Sequence, residues 1–289
     1  MKATLLYPAQ CYLGEGPLWH AERKSCSWVN IEDGILYEYN WLDTSIQTWK
    51  FNHTISVALL DKNNDLVISL DTSIARFNPV TGEHTLLLDI EKGNTHRCND
   101  ARCDSRGRLW IGTMHKKHLT GEGSLYYIDE QKQVRKKIAN TTISNGLTWS
   151  LDNTRLYFID SPTQVVQSYI FDEMSATITF EKNAIEIPNS MGTPDGMAID
   201  EEGMLWIAHW GGFGIYRWNP FTGKHIDTIE IPAPNVSSCA FAGENLDQLI
   251  ITTARENLNE EQLKKYPYSG DVFIAKPGVK GVKRFRCNL

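Results

Sequence analysis

The sequence contains no run of 18 apolar residues, so no segment is long enough to cross a bilayer as a helix. It opens without a basic segment followed by an apolar stretch, and the expectation is therefore a cytoplasmic chain not exported by a standard signal. Positive charge is in deficit: the net charge of −6 argues against nucleic acid or an anionic membrane as partner, since both need a basic surface. The six cysteines (Cys11, Cys26, Cys98, Cys103, Cys239 and Cys287) show no CxxC spacing, which excludes zinc ribbons and thioredoxin-like redox motifs. Free, buried thiols in a reducing compartment are expected instead. No serine sits in a Gly-x-Ser-x-Gly context, so a serine-hydrolase elbow is excluded. Helix signals are nearly absent as well; the one predicted helix is a short exposed insertion over residues 259–265, with Asn259 able to cap it.

What is present is strand after short strand. Runs such as Leu66-Val67-Ile68-Ser69-Leu70, Leu109-Trp110-Ile111-Gly112, Leu205-Trp206-Ile207-Ala208 and Leu249-Ile250-Ile251-Thr252 alternate with turn clusters. Two segments are near copies: Asp104-x-x-Gly107-x-Leu109-Trp110 and Asp200-x-x-Gly203-x-Leu205-Trp206. Asp152-x-x-x-Leu156-Tyr157 and Asp61-x-x-x-Asp65-Leu66-Val67 are weaker ones. Stepping from each copy to the head of its unit gives Glu15, Ser56, Asn99, Asn145, Asp195 and Ser237, separated by 41, 43, 46, 50 and 42 residues. Six units of four strands at this period predict an all-β fold, a six-bladed β-propeller of four-stranded antiparallel blades. Nothing between the units reads as a linker, so residues 1–289 are expected to form one domain. Two segments compete to complete the last blade, the strand near residues 3–7 and the tail at 282–286.

In a propeller the innermost strands line a central channel, so residues at one place in each repeat converge at one end of it. The six heads would bring two carboxylates and two carboxamides together, an all-oxygen set suited to a hard cation such as calcium, magnesium or manganese. No Cys or His stands at a head, which argues against a closed zinc site. Asp and Asn before Gly are also ordinary turn formers, and taken singly each is explained that way. Glu15 in Gly14-Glu15-Gly16-Pro17 is different, because glutamate is a poor turn residue. Shared register across the repeats, together with the cost of burying unpartnered carboxylates, favours a metal or ligand cluster.

Gly14-Glu15-Gly16-Pro17-x-Trp19, Arg97-x-Asn99-Asp100, Gly112-Thr113-Met114, Ser144-Asn145-Gly146-Leu147, Tyr157-x-x-Asp160-Ser161, Pro194-Asp195-Gly196-Met197 and Gly278-Val279-Lys280-Gly281 occur in order. This ordered set, spread over the whole chain, resembles the regucalcin (senescence marker protein)/gluconolactonase family, which includes firefly luciferin-regenerating enzyme. The resemblance implies one divalent metal (calcium, zinc, manganese or iron) held by Glu15, Asn145 and Asp195. It further implies Asp195 as catalytic base, Arg97 and Asn99 as substrate contacts, and a sugar lactone as the small-molecule partner, opened to an aldonic acid. Ala101 stands where many relatives have Gly after Arg-x-Asn-Asp. The loop at 115–123 is expected to cover the mouth, with Glu122 as its acidic substrate contact, and His209 in His209-Trp210-Gly211-Gly212 as another. Asp100 is expected to bond backbone and orient Asn99.

These residue types suit lactone hydrolysis on chemical grounds too. The reaction needs a polarised carbonyl and an activated water, which a cation with open positions supplies and a nearby carboxylate assists. Arg97 offers a planar donor fork to sugar hydroxyls or a developing carboxylate, or else a plain ion pair. Two other readings compete with the lactonase: a non-catalytic propeller that binds calcium or a protein partner, and a hydrolase of other esters or organophosphates at the same metal. The sequence sets no expectation for oligomeric state.

Overall fold

The computed structural model describes residues 1–289. Twenty-four strands form six four-stranded antiparallel sheets, and the chain is a six-bladed β-propeller. The blades begin with strands Gly14–His20, Ala58–Leu60, His96–Cys103, Ser144–Trp149, Thr193–Ile199 and Val236–Ala242. These first strands pack against one another around the ring and so are the innermost. The only α-helix, Glu260–Lys265, carries a full capping box from Asn259 and Gln262. No helix is long and apolar enough to cross a membrane.

Of the two segments competing for the last blade, the N-terminal one wins. Thr4–Tyr7 pairs antiparallel with Val272–Ala275, so the sixth blade is built from both ends of the chain, with the N-terminal strand outermost, and this closes the ring. The tail takes another path. Gly281 N donates to Leu246 O, Cys287 N to Leu60 O and Asn288 N to Gly107 O, so the tail runs from the sixth blade to the second and third. Its passage needs a glycine: a Cβ on Gly281 would sit 2.2 Å from the Phe241 ring.

The recurring Asp-x-x-Gly-x-Leu-Trp pattern is a structural device, not a site. Asp104 Oδ1 accepts from the backbone N–H groups of Arg106 and Arg108, while Oδ2 accepts from Trp110 Nε1 at 3.0 Å and Arg108 Nε at 2.7 Å. Asp200 repeats this with Glu202, Met204, Trp206 and Arg217. One carboxylate thus closes the hairpin between first and second strands and satisfies the N–H of a fully buried tryptophan. The tryptophans pack in the apolar layers between blades, and truncating one to alanine would cost about 3–5 kcal/mol.

Candidate active site

The pairing between first and second strands is interrupted at the same height in five of the six blades. Pairing skips between Glu15 and Leu18, Cys98 and Ala101, Ser144 and Leu147, Pro194 and Met197, and Val236 and Ser238. A bulge releases a side chain from the strict alternation of a strand and re-aims it. Here it turns Glu15, Asn99, Asn145 and Asp195 toward one cavity of about 240 Å³ at the channel mouth. Ala58–Leu60 pairs without a bulge, and Ser56 does not line this cavity; its hydroxyl pairs with Ser69. Ser237 also turns away, donating to Gly14 O. The glycines after Asn145 and Asp195 serve close approach and not a left-handed turn. A Cβ on Gly146 would lie 2.6 Å from Asp195 O, and one on Gly196 2.2 Å from Ser238 Oγ.

A chain of hydrogen bonds fixes the amides. Arg97 Nε pairs with Glu32 at 3.1 Å, and Arg97 Nη1 donates to Asn99 Oδ1 at 2.6 Å. Asn99 Nδ2 donates to Ser144 O and to Asn145 Oδ1. Asn145 Nδ2 donates to Ser161 Oγ at 2.9 Å, and Ser161 Oγ donates to Pro194 O. Because the serine proton is committed to a carbonyl, Ser161 must accept from Asn145, which fixes the amide with Nδ2 toward Ser161 and Oδ1 toward Asn99. Arg97 makes the ion pair expected as one alternative, and it also lines the cavity. It is also Arg97, not Asp100, that orients Asn99; Asp100 bonds backbone, accepting from Ala101 N at 2.7 Å.

The carboxylates carry the electrostatics. Glu15 and Asp195 are 8% and 7% exposed. Glu15 is pushed up to about 8, first by burial and then by Asp100, with Gly16 N and Arg97 opposing. Asp195 is raised well above the usual carboxylate range by burial and then by Glu15 and Asp100. Its Oδ1 is buried with no hydrogen-bond partner. An orphaned carboxylate oxygen beside a second buried carboxylate is a costly arrangement for protein atoms alone, and one that a cation would relieve. Nowhere do three side chains of His, Cys, Asp or Glu converge; besides the two carboxylates the cavity is lined by the Asn145 amide. Two carboxylates and an amide fit a hard divalent ion.

Two expected contacts lie elsewhere. His209 is fully buried, stacked on Tyr216 at 4.1 Å, and its Nδ1 bonds Met191 O. Burial pulls it down to about 4, so it is a neutral packing residue. In its strand the next residue, Trp210, is the one that faces the cavity. Glu122 is exposed and outside the cavity; from the loop at 115–123 it is His118 that reaches the wall. The acid near the mouth is instead Glu256, which follows the second strand of the sixth blade and is raised by burial. It stands in no repeat register, so only the folded chain reveals it.

A six-bladed propeller with a buried carboxylate–carboxamide cluster at one channel mouth defines the class of protein. The family follows from comparison. Residues 13–255 match the family described as SMP-30/Gluconolactonase/LRE-like region, and the chain belongs to that family. It is 30% identical to rabbit regucalcin over 98% of this chain and 97% of that one. It is 32% identical to a Bacillus subtilis protein provisionally named sugar lactone lactonase YvrE, over 96% and 95%. Among solved structures, a luciferin-regenerating enzyme superposes with a TM-score of 0.91 at 30% identity, over 97% of both chains. A regucalcin from Agrobacterium tumefaciens, described as a calcium-binding protein, gives 0.95 at 28% identity, over 100% and 98%.

Proposed function

We propose that this protein is a divalent-metal-dependent lactonase that opens sugar lactones to aldonic acids. The observation that carries the reading is the orphaned, buried Asp195 Oδ1 beside Glu15 in a cavity of sugar size. The provisional name of the Bacillus relative supports the substrate class, and the description of the Agrobacterium relative supports calcium as the ion. The six buried, unpaired thiols support a cytoplasmic setting.

Glu15, Asn145 and Asp195 would hold the cation, which supplies carbonyl polarisation and an acidified water when bound. The protein's own groups do the rest. Asp195 accepts the proton of the attacking water as its oxygen bonds to the lactone carbonyl carbon. The ring C–O bond then breaks, and the leaving alkoxide recovers that proton. Arg97, with Nε and Nη1 committed, keeps Nη2 to donate to a substrate oxygen. Glu256, whose carboxylate bonds no protein group, accepts from sugar hydroxyls, and Trp210 and Met114 give the ring an apolar wall.

The test is a substrate panel. Purified protein is expected to hydrolyse glucono-δ-lactone and pentonolactones with higher kcat/KM than aryl esters or hydroxyl-free lactones. A preference for aryl esters, or no turnover of any lactone, would contradict the assignment.

A further inference from the structure

Eight of the twelve arginines form ion pairs with carboxylates. Arg102 and Arg284 do not, although they lie inside the channel. Arg102 donates to Thr148 Oγ1 at 3.2 Å and Met197 O at 2.8 Å. Arg284 donates to Pro17 O at 3.0 Å and Cys239 O at 3.4 Å. Every acceptor is neutral. Their partners lie two or three residues beyond the heads of the blades, about 7–10 Å further along the channel than the mouth cluster. Both guanidiniums line a cavity of about 140 Å³ that the tail residues Val282 and Phe285 help to wall.

The charge count at this level does not close. The one carboxylate facing the two arginines is Asp100, which makes no contact short enough for an ion pair with either and has one oxygen on Ala101 N. Glu15 and Asp195 cannot supply the missing charge. Neither lines the space around the two arginines, and neither makes an ion pair with them. Burial first, and the Arg102 charge second, pull Arg284 down to about 9, which leaves it protonated at neutral pH. A guanidinium has five N–H donors, and each arginine has two hydrogen bonds to protein. Two cations with spare donors on one small cavity cost free energy unless an anion joins them.

We propose that Arg102 and Arg284 bind one small inorganic anion, of halide to phosphate size, in this cavity at the far end of the channel from the mouth. The site explains the path of the tail, which is pinned at Gly281 and Cys287 and carries Arg284 between them. It does not depend on the lactonase reading, because neither arginine lines the mouth cavity.

Bromide locates the site directly. Crystals soaked in sodium bromide are expected to show an anomalous peak between Arg102 and Arg284. The peak should vanish in Arg284→Met and in Arg102→Met while surface bromides persist. A wild-type map with no peak in this cavity, or a peak that survives both substitutions, overturns the proposal. In solution, each tenfold rise in bromide above its Kd should raise the wild-type melting temperature by about 2–4 °C more than that of Arg284→Met. Equal responses of the two proteins would also overturn it. Unchanged glucono-δ-lactone hydrolysis in Arg284→Met would show that a failure here is not a failure of the mouth site.

Discussion

The two ends of the channel are opposite in charge and alike in being incomplete. At the mouth, Glu15 and Asp195 are buried side by side with an acceptor oxygen unused. At the far end, Arg102 and Arg284 share a cavity with no carboxylate in contact. Elsewhere buried carboxylates meet partners within the protein: Asp104 pairs with Arg108, Asp200 with Arg217 and Glu38 with Arg23, while Asp160 accepts from the backbone N–H groups of Thr142 and Ile143. The contrast teaches where to look for ligands. A buried charge that meets its partner within a blade holds the fold; one left without a partner on the channel is free to hold something else.

The largest expected effect separates the mouth from the fold. Asp195→Asn keeps the shape of the side chain and removes the proposed proton acceptor, so hydrolysis should fall by about 10²–10⁴-fold. Its melting temperature without metal should not fall, because a buried carboxylate is lost. Activity within a few-fold of wild type would move the base to another residue. The same substitution should leave bromide binding between the arginines intact, which sharpens the separation of the two ends.

Next is the pH dependence of the metal-free protein. Glu15 titrates near 8 when folded against an ordinary 4.5, so it binds more protons folded than unfolded between those values. Its contribution is therefore fully present below about pH 4.5 and is lost as pH rises toward 8. Thermal melts in chelator should show wild type losing stability over that window relative to Glu15→Gln. Parallel curves would mean that the carboxylate is not strained by burial. The smallest effect belongs to Glu256→Gln, which should raise KM for glucono-δ-lactone about tenfold with kcat little changed. KM for a lactone without hydroxyls should not move. A fall in kcat alone would place Glu256 in the chemistry instead of in recognition.

The mouth was legible in the sequence because its residues obey the repeat. Five of the six heads lie on the first strand of a blade and Ser56 stands two residues before one, and the period of the chain brings them to one end of the channel. Sequence could not show why only four heads reach the cavity. That depends on the bulges, and the second blade has none while Ser237 turns to Gly14. His209 was misplaced by one residue of strand alternation, since its neighbour Trp210 faces the cavity and His209 the packing between blades. Glu256 and Arg284 were beyond reach for a common reason: one follows the last long strand and the other lies in the tail, so neither has counterparts in the other repeats. The tail was a contender for the closing strand, and the N-terminal strand holds that place.

The central claim is that the carboxylates at the mouth exist to hold a cation that hydrolysis requires. Protein stripped with chelator and exchanged into metal-free buffer would be titrated with calcium, then with manganese and zinc, while glucono-δ-lactone opening is followed by acid release. Activity should be absent at the start and rise to a plateau at one ion per chain, with Glu15→Gln shifting the titration to higher concentration. Full activity in the stripped protein, unchanged by any added ion, would contradict the account.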